Sequence, residues 1–103
     1  MKQIEIQLEP EKKKKIIRQL TPEFGVAGEF PHYNLIHIPT GWRVGAMFRT
    51  LKEAACVVAE LAEFGDWSFT DITEFGKRID VPALGKRLTP HRVHWSKHGT
   101  RDS

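Results

Sequence analysis

The clearest structural signal in the chain is residues 33–62, which read YNLIHIPTGWRVGAMFRTLKEAACVVAELA. Two runs within it, 33–38 and 42–48, are rich in aromatic and β-branched residues, as strands are. The residues between them, 39–41, are Pro, Thr and Gly, which favour a tight turn. The sequence therefore predicts an antiparallel hairpin over 33–48.

A helix is predicted directly after the hairpin. Thr50 is followed three residues later by Glu53, the spacing of a capping box that satisfies the free N–H groups of a helix start. Apolar residues then recur at helical spacing until Gly65, and glycine commonly ends helices. We expect a long helix over 50–64.

The segments before the hairpin show weaker patterns. Residues 3–8 alternate polar and apolar side chains, which predicts a half-buried strand. Pro10 suits the first turn of a helix, and we expect a short helix over Glu9–Leu20 that carries the lysine run 12–15. Residues 21–32 contain two prolines and two glycines and are predicted to be a connecting loop.

Two short helices are predicted toward the C-terminal end. Asp71 and Glu74 form a second capping box, which favours a helix near 71–79. Pro82 is suited to a helix start, and a further helix is expected near 82–89.

Together these elements predict an α+β fold. A small antiparallel sheet, made of the N-terminal strand and the 33–48 hairpin, is expected to pack against helix 50–64 and the short C-terminal helices. The 103 residues suffice for one domain. We expect a single compact α+β domain over 1–98 and a frayed tail over 99–103.

Composition and targeting signals favour an ordinary globular protein of the cytoplasm. The chain is 40% hydrophobic and 28% charged, which is near the average for globular domains. Its single cysteine, Cys56, cannot close an intramolecular disulfide, which favours a reducing compartment. The N-terminal residues alternate where a signal peptide would be continuously apolar. The longest apolar run, Ala54–Ala59, is far shorter than a membrane span.

The net charge of +3 is unevenly distributed along the chain. Residues 1–18 carry a net +3, residues 19–85 a net −4, and residues 86–103 a net +4. Only the two basic ends have the charge to hold a phosphate backbone, since binding releases the counterions condensed on nucleic acid. The competing interpretation is that the lysine run is a solvated face and that the basic tail aids solubility.

The basic ends make nucleic-acid binding, to DNA in the first place, the leading hypothesis. Cations would contact phosphates, and a tryptophan would either stack on a base or fold back over the core. Basic ends that meet on one face would favour nucleic acid, and ends that point apart would favour a protein partner. The candidate residues are Lys12, Lys13, Lys14, Lys15, Arg18, Lys86, Arg87, Arg92, Trp95 and Lys97.

The alternative is a protein-interaction module, an adaptor or a small inhibitor, that uses the acidic central segment. Its carboxylates would lie on helix 50–64 and in the residues that follow it. The candidates are Glu53, Glu60, Glu63, Asp66, Asp71 and Glu74.

Residues 75–88 resemble a helix-turn-helix module. Gly76 falls in the first helix, Asp80 at the turn, and Leu84 on the core side of the second helix. The resemblance implies that the second helix reads DNA. The sequence departs from the pattern at Asp80, where such modules usually carry glycine, and at Gly85, which weakens a helix.

Residues 45–55, GAMFRTLKEAA, resemble the strand-to-helix junction of AP2-type and integrase arm-binding domains, small modules that lay a sheet on DNA. The likeness includes the preceding hairpin. It implies DNA contacts from an exposed sheet face, made by Trp42, Arg43 and Arg49.

No enzyme chemistry is indicated. The sequence lacks a phosphate-binding P-loop, a G-x-S-x-G elbow and an H-E-x-x-H pair. His91, His94 and His98 recur at helical spacing, but no second cysteine or carboxylate lies at ligand spacing, so we expect exposed histidines. Cys56 is predicted beside carboxylates, which disfavour a reactive thiolate. We therefore expect no catalytic residue, no cofactor and no metal.

Overall fold

The computed structural model of the protein describes residues 2–9 and 11–91, and the backbone alone of residues 94–95 and 101–102. Within these residues it confirms an α+β fold, in which a five-stranded antiparallel sheet is combined with three short α-helices. The sheet contains β1 (Lys2–Leu8), β2 (Lys13–Gln19), β3 (Phe24–Glu29), β4 (His32–His37) and β5 (Trp42–Phe48). The helices are α1 (Leu51–Leu61), α2 (Phe75–Arg78) and α3 (Val81–Leu88), and a separate ladder pairs β6 (His94–Trp95) with β7 (Arg101–Asp102).

The five strands follow one another across the sheet in chain order, each antiparallel to the next. β2 and β3 are paired only near one end, at Arg18 with Val26 and at the adjacent residue pair. The two edge strands approach each other, because the Glu9 N–H donates to the Gly41 carbonyl at 2.9 Å and Glu9 bridges to Trp42. The sheet is therefore curled into a partly closed barrel.

Apolar clusters lie on both faces of the sheet. Neighbouring residues of a strand point to opposite faces, and in β4 Leu35 belongs to one cluster while Ile36 belongs to the other. The larger cluster joins β3, β4 and β5 to the three helices. The smaller cluster lies on the opposite face of the sheet. It consists of Leu8, Ile17, Ala27 and Ile36.

The helix predicted over Glu9–Leu20 is wrong, because most of this segment forms β2. β1 supplies antiparallel backbone partners along the whole of Lys2–Leu8. The adjacent residues Ile16 and Ile17 then take opposite faces, so that Ile17 is buried while Ile16 is 61% exposed. A strand separates neighbours in this way, whereas the apolar stripe of the segment is too thin for a stable helix.

The loop predicted over 21–32 is also wrong, because its centre forms β3. The glycines that suggest turns instead permit close approach between strands. A Cβ added at Gly25 would lie 2.7 Å from the Arg18 carbonyl oxygen of β2. Residues 24–27 are buried as a result.

The helix expected over 50–64 is shorter than predicted. α1 has 11 residues and passes into a three-residue 3-10 turn, Ala62–Phe64. Its predicted start is confirmed, since the Glu53 N–H donates to the Thr50 hydroxyl at 3.1 Å. Gly65 follows with a φ of 143°, which side chains rarely tolerate.

The short C-terminal helices are confirmed in outline. The segment predicted as helix 71–79 is a 3-10 turn, Ile72–Glu74, followed by the four-residue α2. α3 corresponds to the helix expected near 82–89, and the Asp80 carboxylate caps it by accepting the Ala83 N–H at 3.3 Å. The expected division of the chain into a domain and a tail stays a prediction.

Candidate functional site

The lysines of β2 lie on both faces of the β1–β2 hairpin. Strand alternation places Lys13 and Lys15 on the face that carries Ile17, and Lys14 on the opposite face. All three lysines are exposed, and none forms an ion pair with a residue that the structure describes. β2 therefore presents three lysines without an ion-paired carboxylate, although Lys13 lies close enough to Glu11 to help lower the pKa of that carboxyl.

Lys12 and Arg18, the cations on either side of these three lysines, contact neighbouring side chains. Lys12 Nζ lies 3.0 Å from Glu9 Oε1, and hydrogen bonds from Lys12 and Gln7 lower the pKa of the Glu9 carboxyl. Arg18 Nη1 donates to the Tyr33 hydroxyl at 3.5 Å, and its guanidinium lies 5.7 Å from the Tyr33 ring centroid. Both cations are thus oriented by partners, unlike the three lysines between them.

The residues expected on an exposed sheet face are separated in the structure. Arg43 Nη1 donates to both carboxylate oxygens of Glu11, at 2.9 and 2.8 Å. Trp42 is half-buried on the other face of β5, and Arg49 follows the end of that strand. Apolar clusters cover both faces of the sheet, so the described residues do not form the open DNA-binding sheet that the AP2-type resemblance implies.

The C-terminal basic segment is described only in part. Lys86 is exposed on α3, and Arg87 Nε donates to Glu60 Oε2 at 2.6 Å. The side chain of Trp95, together with Arg92 and Lys97, lies outside the described residues.

The two basic ends are attached to different apolar clusters. β2 is anchored through Ile17 in the smaller cluster, whereas α3 is anchored through Leu84 and Leu88 in the larger one. Only Lys86 and Arg87 represent the C-terminal basic end among the described side chains. That the two ends meet on one face, or point apart, stays a prediction.

Three of the acidic candidates form ion pairs with arginines of the same chain. Glu60 pairs with Arg87, and Asp66 Oδ2 lies 3.3 Å from Arg78 Nη1. Arg78 Nη2 also lies 3.7 Å from Glu74 Oε1. These carboxylates would have to give up a partner before they could bind another protein.

The other acidic candidates are mostly engaged as well. Glu53 Oε1 lies 3.6 Å from His91 Nδ1. Asp71 accepts the Thr73 N–H at 3.0 Å, and this hydrogen bond lowers the pKa of the Asp71 carboxyl. Glu63 is exposed and pairs with no described residue. Most of these carboxylates therefore already have a partner within the chain.

The segment that resembles a helix-turn-helix module is smaller than the resemblance implies. α2 is one turn of four residues, and only Ile79 and Asp80 separate it from α3. Asp80 has a φ of −74°, so this turn needs no glycine. A first helix of one turn offers little surface for α3 to pack against. The geometry therefore does not support α3 as a helix that reads DNA.

A groove between β5 and the helices α2 and α3 is a feature that the sequence patterns do not indicate. It contains two cavities of about 160 and 150 Å³, both lined by Val44 and Phe75. Ile72 and Val81, which are 37% and 40% exposed, line its rim. We call this feature the apolar groove. Its lining comes from separate segments of the chain, so no local spacing marks it.

His37 is a buried polar residue beside the apolar groove, 3% exposed. Its Nε2 lies 2.7 Å from the Trp67 carbonyl oxygen, and its Nδ1 lies 2.8 Å from Thr40 Oγ1. A carbonyl can only accept, so Nε2 carries the proton and Nδ1 accepts from Thr40. Burial lowers the pKa of His37, although the Trp67 contact and Glu23 oppose the shift. The neutral ring fastens the segment around Trp67 to the sheet.

The described residues contain no group of three or more histidines, cysteines or carboxylates placed to hold a metal ion. His91 packs against the Phe48 ring at 4.9 Å, and the side chain of His94, like His98, lies outside the described residues. Cys56 is exposed on α1. None of the described helices is long and apolar enough to cross a membrane.

The sequence matches no protein-family model, and comparisons with curated proteins and with solved structures give no match either. Function must therefore be inferred from the residues of the chain.

Proposed function

We propose that the protein is a small, non-enzymatic nucleic-acid-binding protein of the cytoplasm, which holds the phosphates of DNA with the lysines of β2. The observation that carries this proposal is the exposure of Lys13–Lys15 without a carboxylate partner among the described residues. Of the basic candidates in β5 and α3, Arg43 and Arg87 are paired with Glu11 and Glu60, whereas Lys86 is exposed without an ion pair to a described residue.

The free lysines are favoured because they release no partner when they bind. A phosphate replaces only water at such an ammonium group, and the counterions that leave the nucleic acid add a favourable entropy. Lysine also carries its charge on a flexible stem. Side chains from both faces of β2 can therefore reach one phosphate backbone that lies along this strand.

The hairpin is also accessible along the edge of β2. β2 pairs with β3 only at Arg18 and Gln19, so the edge of Lys13–Ile17 faces no other strand of the described sheet. A two-stranded antiparallel ribbon is narrow enough to enter the major groove of duplex DNA. The proposal therefore names duplex DNA as the first ligand to test.

The remaining basic candidates extend this surface in the proposal. Lys12 and Arg18 flank the free lysines, and Lys86 is exposed on α3. Arg92, Trp95 and Lys97 keep the role that the sequence suggests, with Trp95 stacking on a base.

The test is a fluorescence anisotropy titration of a short labelled DNA duplex at low salt. We expect a Kd of about 1–10 μM, because non-specific binding through a few lysines is of this order at low salt. The double variant Lys13→Gln, Lys15→Gln should bind about tenfold more weakly.

The matched control removes the same charge from elsewhere on the surface. Lys52→Gln with Lys77→Gln should leave DNA affinity within about twofold, since neither residue lies on the hairpin. The proposal is overturned if the wild type forms no complex at tens of micromolar protein. It is also overturned if the hairpin and control variants lose the same affinity, because binding would then follow net charge alone.

A protein partner remains the second candidate function, with a different surface from the acidic one. The ion pairs of Glu60, Asp66 and Glu74 reduce the charge that an acidic surface could offer. One feature that favours a protein partner is the apolar groove.

A further inference from the structure

The edge of β2 that faces away from β1 carries unpaired backbone groups. The Leu20 N–H donates to the Phe24 carbonyl oxygen at 2.9 Å, so the backbone groups of Leu20 point toward β3. Backbone groups of residues two apart point to the same side of a strand, so those of Arg18, Ile16 and Lys14 do as well. The pairing with β3 ends at Arg18, and beyond it this side of β2 meets no other strand of the described sheet. We call this part of β2 the open edge.

The open edge is accessible to another chain. The strand residues Lys13–Ile16 are all exposed, on both faces of the hairpin. The side chain of Ile16 is 61% exposed, on the face opposite to Ile17 and the smaller cluster. An unpaired strand edge beside an exposed apolar side chain is a template for pairing with a further strand.

The three lysines of the open edge face no carboxylate across the ladder between β1 and β2. Glu5 of β1 lies opposite Ile16 rather than opposite a lysine. The ladder partners of the lysines are the uncharged residues Leu8, Gln7 and Ile6. Carboxylates on the open side of β2 would therefore meet ammonium groups that β1 does not complement.

A second copy of the same edge is a poor occupant. In a symmetric antiparallel pairing centred on Lys15, each Lys15 lies directly opposite its counterpart, and Lys14 lies opposite Ile16. Like charges directly opposite each other are destabilising, and lysines on an edge strand oppose pairing between identical chains. The charge of the open edge therefore selects an acidic strand.

The backbone of the open edge distinguishes a peptide from a phosphate chain. Ile16 and Lys14 each offer one N–H donor and one carbonyl acceptor on this side. Phosphate oxygens are acceptors, so they can satisfy the N–H groups but not the carbonyls. An extended peptide brings both donors and acceptors. The lysines suit either ligand, but the backbone between them fits a strand.

We propose that the open edge binds an extended acidic segment of a partner protein, which adds antiparallel to β2 with carboxylates opposite the lysines and an apolar residue opposite Ile16. Backbone hydrogen bonds to Lys14 and Ile16 supply affinity, and the alternating side chains supply specificity. Opposite charges across a ladder stabilise the pairing. The proposal does not rest on DNA binding, although DNA and the acidic strand would compete for the same lysines.

The probe is a synthetic peptide with the residues Thr-Val-Glu-Glu-Glu. In antiparallel register its valine lies opposite Ile16 and its glutamates lie opposite the lysines. We expect a Kd of about 0.1–1 mM in an NMR titration of the full-length protein, because a short segment repays little more than the cost of association. A peptide with lysines in place of the glutamates should bind at least about tenfold more weakly. Equal binding of the two peptides, or no binding of the acidic one, would overturn the proposal.

Methylation of single peptide amides separates strand addition from attraction between charges. In this register the peptide amide opposite Lys14 points toward β2, whereas the amide opposite Lys15 points away. Methylation opposite Lys14 should weaken binding about tenfold, since one backbone hydrogen bond is lost. Methylation opposite Lys15 should leave the affinity within about twofold. The two peptides carry the same charge, so equal affinities would mean that charge alone holds the peptide and would overturn the proposal.

Amide resonances of the wild type locate the peptide on the fold. Those of Lys14 and Ile16 should shift on addition of the acidic peptide. The resonance of Glu5 is the matched control, because Glu5 lies opposite Ile16 and its backbone groups face the far side of β1. Shifts at Glu5 without shifts at Lys14 and Ile16 would overturn the proposal.

Charge variants of the protein test the lysines. Lys13→Gln with Lys15→Gln should weaken the acidic peptide about tenfold, and Lys52→Gln with Lys77→Gln should leave its affinity within about twofold. Equal losses in the two double variants would contradict the proposal.

Two outcomes remain to be separated from strand addition by a partner. A dimer of the wild type, with resonances of Lys14 and Ile16 that shift as the protein concentration rises, would make a second copy the occupant and would overturn the proposal. None of the peptide titrations contains DNA, so their failure is distinguishable from failure of the proposed function.

Discussion

The β1–β2 hairpin and the helical side of the molecule, made of α1, α2 and α3, differ in whether their cations are paired. On the hairpin, Lys13–Lys15 are exposed without a carboxylate partner, while Ile17 beside them is buried. On the helical side, Arg78 and Arg87 are paired with carboxylates and an apolar groove stays open. A cation that the fold leaves unpaired is therefore better placed to bind a phosphate than one that is already paired.

The two sides differ in the free energy that it costs to free a cation for phosphate binding, and this difference is small. Exposed ion pairs contribute about 0–1 kcal/mol, so Arg87 could leave Glu60 for a phosphate at a small cost. The lysines of β2 meet no such cost. The hairpin should therefore dominate binding to a polyanion, and the helical side should dominate binding to an apolar peptide.

The largest expected effect concerns the anchoring of the hairpin. Ile17→Ala removes a side chain that is 2% exposed in the smaller cluster, and such truncations cost about 2–5 kcal/mol. Ile16→Ala, at the adjacent position on the opposite face, should change the free energy of unfolding by less than about 0.5 kcal/mol. Urea denaturation measures both. Similar losses at the two positions would contradict the β2 strand and its register.

A smaller loss is expected on the helical side when the hydrogen bonds of His37 are removed. His37→Leu leaves the Trp67 carbonyl without the ring N–H that it accepts, which costs about 1–3 kcal/mol for a buried polar group. His37→Gln retains an N–H donor and should be less destabilised in the same urea experiment. A His37→Leu variant as stable as wild type would show that this contact does not hold the Trp67 segment to the sheet.

The same histidine should make stability depend on pH. Burial lowers the pKa of His37, so the unfolded chain takes up its proton at a higher pH than the folded protein does. Stability from this residue is then present above the ordinary histidine pKa of about 6.5 and is lost as the pH falls below it. Urea midpoints between neutral and mildly acidic pH should fall in wild type and fall less in His37→Gln. Identical slopes would contradict this role.

The smallest effect is expected for the ion pairs of the helical side. A double-mutant cycle of Arg87→Gln and Glu60→Gln should give a coupling of about 0–1 kcal/mol, because the pair is exposed. A coupling well above that range would mean that breaking the Arg87–Glu60 pair costs too much free energy for Arg87 to bind a phosphate instead.

The sequence predicted the parts of the fold that are decided locally. The 33–48 hairpin has two β-rich runs and a tight turn, and the start of α1 at Thr50 is fixed by its own capping box. Elements that depend on distant partners were missed. β2 is a strand because β1 pairs with it, and the glycine at position 25 allows contact with Arg18 rather than marking a turn.

The candidate sites likewise divide into features that the local sequence shows and features that depend on contacts between distant residues. The sequence shows where the charged residues are, but which of them are neutralised depends on tertiary contacts such as Arg43 with Glu11 and Arg87 with Glu60. The apolar groove joins β5 to α2 and α3, and these helices follow the strand in the chain only from Phe75 onward. Ile72 is exposed at its rim. Local patterns carry no information about such a surface.

The central claim is that the lysines of β2, rather than net charge, hold DNA, and the salt dependence of binding tests it most directly. The logarithm of the binding constant should be measured against the logarithm of salt concentration for wild type and both double variants. We predict that Lys13→Gln with Lys15→Gln makes the slope shallower by about 1.8, as expected for two lost phosphate contacts. Lys52→Gln with Lys77→Gln should leave the slope unchanged, and equal slopes for the two variants would contradict the claim.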